Sequence, residues 1–567
     1  MSPTLKSKHE TVRQTLRRLT RLATSKLGSH PGLLILPRLA LRIHARSAVD
    51  YVNKYFRARV RAAFTSPLGA DFDFTAEQPT QVTVRSRDRA SVLAAIQDEL
   101  YHYHLYLSNF LTHPRYGPEN EVGFSRGDTL EPVGLKEISP GTYQFRVRGI
   151  AVGRRDLLRQ IAGPNKQGPR PPKMPPPPAG STRIFFTIPT RPDAAEVGNT
   201  EWYDFTPKTW ARKHPHIALR PPIPVLLWPR RERPLIDPRY DRLFRRGRIR
   251  IALLYGYDDE GHNTTQDAHD TWRILTASPD REFRAAETGR YGYHGPGLGF
   301  SDPTGGHFRR LSLDGTSVFR RGRGQGSGPL TVRYRLGDPL RVGGPDAPAG
   351  SVRVNGKAAA AGAVVPAGTI IDRQISAEIR LYNFDKNYHL STTRLIQQFV
   401  APFGDQDVIL YDGHANYGGG FYIGPQPNDI LWASDIGRYA AAFSPQYQIF
   451  AIGACHAAGY FADLFYNDLR PRKSPVNLDI VAAVNETAFL DAVHQSLAMV
   501  RALLQVRLPA NERPSRYNAI LLKESHPASF QAYIGVFGRE ARVPAARARF
   551  GTARHRRGKR RAARHPA

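Results

Sequence analysis

Cysteine is almost missing from these 567 residues: Cys455 is the only one. That excludes an intrachain disulfide and any metal site built from several thiolates, and it suits a reducing compartment. No run of about 18 apolar residues occurs, so no transmembrane helix is expected. The apolar stretch 32–43 is broken by Pro37, Arg38 and Arg42, which makes it too polar for the hydrophobic segment of a signal peptide. A cytoplasmic location without a membrane span is the resulting expectation. Acidic residues are scarce as well, 49 against 81 Lys and Arg, for a net charge of +32. The excess is uneven. Residues 1–65 hold 14 basic and 2 acidic residues, and 541–567 hold 10 basic and no acidic ones. The basicity therefore describes two ends rather than a basic catalytic surface.

What is present is enough apolar residue, 41%, for a sizeable core, and a length suited to several domains. Residues 1–75 read as a basic helical N-terminal region. Within it Val12, Leu16, Leu19, Ala23 and Leu27 recur at helical spacing, with Arg13, Arg17, Arg18 and Arg21 on other faces. Such a helix packs on its own protein or meets nucleic acid or an anionic membrane surface. Residues 76–162 read as a small α+β domain, with a helix over 90–110 and a strand over 142–150. Residues 163–180, GPNKQGPRPPKMPPPPAG, read as a Pro-rich linker. Residues 181–247 are an irregular connecting region with a strand over 183–188. Its Trp202, Tyr203 and Trp210 are candidates for packing under loops or for stacking on a ligand. Residues 542–567 read as a basic disordered tail.

From 248 to 541 short apolar runs alternate with helical patterns, the signature of a βαβ sheet. Strands are expected over 249–257, 377–381, 407–411, 448–453 and 478–484, and helices over 389–400, 434–443, 456–468 and 487–506. Runs such as DVILY and QIFAI are apolar on both faces, as a buried parallel sheet requires. The Gly-rich stretch at about 280–372, with PLTVRYRL and SVRVNG, reads as a β-rich insertion.

Two of these strands run into reactive residues. DVILYDGH closes on Gly413 and His414, and YQIFAIGAC closes on Gly453, Ala454 and Cys455. Chemistry in open parallel sheets gathers outside the carboxyl ends of the strands. A thiolate near neutral pH needs a base or cation beside it, for which imidazole is the usual choice.

Gly-His-Ala at 413–415 and Gly-Ala-Cys at 453–455, 41 positions apart, resemble the paired motifs of clan CD (caspase-like) cysteine peptidases. The style is nearer to the bacterial gingipain and clostripain members and to legumain than to the caspases. The caspase pentapeptide Q-A-C-[RQG]-G is absent. The resemblance, which covers about half the chain, implies an α/β fold: an open, mostly parallel sheet flanked by helices in the C-terminal half; the N-terminal region reads separately, from its own residues, as α+β. The resemblance also implies peptide-bond hydrolysis without a cofactor or a metal, acting on a polypeptide substrate. Carried over by residue, Cys455 is the nucleophile and His414 the general acid/base, and the backbone N–H groups of Ala415 and Cys455 form an oxyanion hole. The family places glycine after the histidine. If that glycine serves a positive φ, Ala415 distorts the hole, and the chain is then an inactive interaction scaffold. His456 stands where it either lowers the thiol pKa or points to solvent.

Further candidates surround this pair. Asp412 and Asn416 flank His414 and are placed to orient its ring. Asn485 and Glu486 follow the next strand, where this fold builds its specificity pocket, or they open a helix. Tyr417–Gly420 offers a glycine-rich loop to a substrate backbone. His262 and His269, among several carboxylates, lack the spacing of a zinc-binding helix. The two basic ends supply a different function class, binding of nucleic acid or an anionic surface with steep salt dependence.

Overall fold

In the computed structural model the described residues are 47–112, 123–161, 174–190, 211–230, 237–257, 264–284, 287, 293–322, 328–385, 389–415, 420–426, 428–484, 492–524 and 534–538. The basic helix expected over 9–27, Trp202, Tyr203, Trp210, the C-terminal tail and most of the Pro-rich stretch lie outside them. No helix among the described residues is long and apolar enough to cross a membrane.

The N-terminal half is organised by alternation. Helix α1 (Ala48–Arg57) starts at Ser47, whose side chain accepts the N–H of Asp50, and buries Val52 and Phe56. Strand β1 (Ala63–Thr65) leaves this half, as described below. Strands β2 (Gly69–Ala76) and β3 (Thr80–Thr83) precede a long helix, α2 (Arg89–Thr112). Then come β4 (Gly123–Ser125), β5 (Glu131–Ser139), β6 (Thr142–Arg154), β7 (Thr182–Phe186) and β8 (Ile223–Pro229). They form one antiparallel sheet in the order β3-β6-β2-β8-β7, with β4 and β5 also pairing with β6. One core holds Phe72, Phe74, Ile96, Leu100, Phe145, Ile184 and Leu227 together. This corrects three expected boundaries. The helical reading of 1–75 does not extend over β1 and β2, which begin inside it. Residues 181–247 are not only a connecting region, because β7 and β8 pair with each other and β8 pairs with β2. The domain does not end at 162.

The C-terminal half is a sheet with helices on both faces. Strand β9 (Arg248–Tyr255) is followed by α3 (Thr264–Thr276). In the stretch read as an insertion, β10 (Asp314–Arg321), β11 (Leu330–Arg335) and β12 (Val352–Val354) all pair antiparallel with β13 (Ile370–Asn383). The stretch therefore extends the main sheet rather than standing apart. The strand expected over 377–381 is only part of the C-terminal half of β13. Next come α4 (Thr392–Val400), β14 (Val408–Asp412) and β15 (Gln448–Gly453). The helix expected over 434–443 is a 3₁₀ segment, Ala433–Ala442. The helix expected over 456–468 is two, α5 (Ala457–Tyr460) and α6 (Ala462–Asp468). Strand β16 (Leu478–Ala483), α7 (Ala492–Leu504), α8 (Tyr517–Glu524) and β17 (Ile534–Gly538) complete the fold.

Across the sheet the order is β1-β17-β16-β15-β14-β9-β13. The five strands β13, β9, β14, β15 and β16 run parallel, whereas β17 and β1 are antiparallel additions at one edge. All five residues of β14 and all six of β16 are buried. Alternate side chains feed two cores. Val408, Leu410, Ile449 and Val481 meet α3, α7 and α8. Ile409, Tyr411, Phe450 and Ile480 meet α4, α5 and α6. Continuous apolar runs are the sequence mark of strands covered on both faces.

Candidate active site

Strands β14 and β15 pair in register from Val408↔Ile449 to Asp412↔Gly453. His414 stands two residues beyond the last rung on one strand and Cys455 two residues beyond it on the other. Neighbouring strands lie about 4.8 Å apart, so the register delivers both backbone positions to the same stretch of the sheet's carboxyl edge. The Gly413 N–H donates to the Gly453 carbonyl at 3.3 Å, which carries the pairing one step further. Both His414 and Cys455 are partly buried.

The glycines before these residues serve close approach. A Cβ on Gly413 would stand 2.5 Å from the Tyr411 hydroxyl and 3.0 Å from Gly256 Cα. A Cβ on Gly453 would stand 2.0 Å from Asp412 Oδ1. Neither contact leaves room for a side chain. Tyr411, which the motif reading passed over, holds the histidine turn: its hydroxyl donates to the His414 carbonyl at 3.0 Å and lies 3.3 Å from that of Tyr422. The Tyr422 ring is packed edge-on against the His414 ring at 5.9 Å. A tyrosine one position before a strand end is an ordinary core residue in sequence, so no signal marked this role.

Asp412 does not take the orienting role expected of it. Its carboxyl accepts from the Ser496 hydroxyl on α7, on the face opposite Tyr411. Burial, partly offset by that hydrogen bond and reinforced by Asp267, pushes its pKa up to about 8. Tyr255, bonded to Thr271 at 2.6 Å, faces the same carboxyl.

His456 corrects both alternatives offered for it. It is 4% exposed and does not point to solvent. Burial drives its pKa down to about 4, so it is neutral and supplies no cation to the thiol. Its Nδ1 lies 3.3 Å from the Val484 carbonyl, and its ring stacks on Phe124 at 4.5 Å. Its backbone is left-handed, φ 55° and ψ 21°, a conformation that costs a non-glycine residue about 1–3 kcal/mol. Ala415 is not among the described non-glycine residues with positive φ, which are Asn355, His456, Gln505 and Arg507. The alanine after the histidine thus carries no left-handed strain.

Asn416, Tyr417, Asn485, Glu486 and His262 lie outside the described residues. His269 stacks on Trp272 at 5.7 Å and meets Phe308 edge-on at 4.9 Å, the setting of a packed histidine. Among the described residues no group of His, Cys, Asp or Glu is arranged to hold a metal ion.

No protein-family model, no curated protein and no solved structure matches this chain. The functional case rests on its own residues.

Proposed function

We propose that the chain is a cysteine endopeptidase that uses Cys455 and His414 as a catalytic dyad in a caspase-like domain. The observation that carries the proposal is the shared rung Asp412↔Gly453, beyond which both residues emerge at one carboxyl edge. The parallel order of the strands and the helices on both faces agree with what the resemblance implies. In the proposed reaction the Cys455 thiolate attacks the scissile carbonyl and the C–N bond breaks. His414 delivers a proton to the departing amine. Water then cleaves the thioester and returns the thiol. The backbone N–H groups of Cys455 and Ala415 are the proposed oxyanion donors, a contribution of about 3–4 kcal/mol per donor in hydrolases.

A cleavage screen over a peptide library tests this. Wild type is expected to cut at defined sites, and Cys455→Ala to leave the same peptides intact. An intact library with wild type, or the same cuts made by Cys455→Ala, would overturn the assignment.

A further inference from the structure

Besides the pairing of β1 with β17, several contacts of the N-terminal domain on the C-terminal half fall on the segment that follows Cys455. Phe124, fully buried on β4, stacks on His456 at 4.5 Å with the planes 24° apart, and meets Tyr460 at 5.1 Å. A Cβ on Gly459 would stand 2.1 Å from the Phe124 ring, so α5 is seated directly on it. His104 of α2 faces Tyr460 at 6.0 Å. One turn further, Asp463 on α6 pairs with the buried Arg126 and accepts the Ala62 N–H at 2.9 Å. Asn467 takes the Val60 N–H at 2.7 Å.

The segment so braced contains the left-handed residue. His456 turns the chain out of β15 after Cys455, and helix α5 begins at the next residue. A non-glycine residue holds such a backbone only where its surroundings over-determine it. Here two things do so: the ring stack on Phe124 from the N-terminal domain and the hydrogen bond to Val484 at the end of β16. The first of these belongs to a different part of the chain from the sheet that carries the thiol.

We infer that Phe124 is a positioning residue for Cys455: by clamping His456 in its left-handed turn, the N-terminal domain sets the orientation and reactivity of the thiol. The inference deepens the peptidase proposal and rests on it only for its bearing on hydrolysis, since the thiol's reactivity is a property of its own. Docking of the N-terminal domain is then a condition for a competent nucleophile.

Because Cys455 is the only cysteine, its alkylation by iodoacetamide reports on this thiol alone. The rate is measured from pH 5 to 10 for wild type, Phe124→Leu, Phe124→Ala and His456→Gly, with thermal unfolding as the control for folding. The expected result is a displaced pH midpoint or a plateau rate changed about tenfold or more in Phe124→Ala, with Phe124→Leu intermediate. His456→Gly keeps the backbone geometry accessible but loses the clamp, and is expected to follow Phe124→Ala. Folded variants with the wild-type profile would overturn the inference, since a purely structural role moves the unfolding temperature and leaves the profile in place. If Phe124→Ala does not fold, His456→Gly and Phe124→Leu decide the matter by the same criterion. A wild type that cleaves no peptide refutes the hydrolase proposal but leaves this profile to be read.

Discussion

At the residue scale, Asp412 is the most unusual group near the proposed dyad. It is buried, its carboxyl filling the space that a side chain on Gly453 would need, with Ser496, Tyr255 and Asp267 around it. Its pKa is raised from 3.8 to about 8, so the folded protein keeps a proton there that the unfolded chain releases near pH 4. By linkage the folded state binds more protons between those values, and stability from this group falls as pH rises from about 4 to about 8. Asp412→Asn removes the effect. Urea midpoints of the two proteins are expected to diverge with rising pH in favour of the variant. Parallel curves would contradict the assignment. His414 carries a prediction of its own: His414→Ala should slow labelling by an electrophilic peptide about 10²–10⁴-fold near neutral pH, while sparing the urea midpoint. The placement of His414 and Cys455 just beyond two paired strands was legible in the sequence because each ends an apolar run in a small-residue turn. The reversed orientation of Asp412 was not legible. It follows from strand alternation meeting α7, a partner some 80 positions later.

At the level of elements, the decisive contact joins the arginine that follows β4 to α6. Arg126 is 1% exposed, pairs with Asp463, lies 3.6 Å from Asp71 and covers the Phe537 ring at 4.7 Å. Removing one partner of such a pair leaves a buried charge uncompensated, which costs about 3–5 kcal/mol. Arg126→Met and Asp463→Asn are each expected to lose stability on that scale in urea titration. The double variant should lose less than the two single losses combined. Additive losses would contradict a direct pair. The parallel strands were readable from their composition: QIFAIG is strand β15 over its full expected length. Strand β4, three residues long, and the arginine after it carry no such pattern. Long-range pairing of this kind leaves no periodic trace. The break between α5 and α6 at Phe461 was hidden too, since AAGYFADLF reads as one helix by spacing.

For the whole molecule, the two halves interlock. Strand β1 from the N-terminal chain closes the antiparallel edge of the C-terminal sheet by pairing Ala63–Thr65 with β17, in the register Phe64↔Phe537. An uncovered edge invites association with other chains. A truncated protein beginning at residue 237 is therefore expected to aggregate, while the full chain unfolds in urea as a single transition. Light scattering and circular dichroism check this, and a monodisperse, folded truncation would contradict it. Division of the sequence at the Pro-rich stretch missed this arrangement because composition marks a spacer and says nothing of which strands meet across it. What unites the scales is the placement of one thiol and one imidazole at a common sheet edge. The most direct test is intact-mass analysis after exposure to an electrophilic peptide. One adduct per chain, localised to Cys455, lost in Cys455→Ala and strongly slowed in His414→Ala, is the predicted result. An unmodified wild type, or labelling indifferent to His414, would contradict the account.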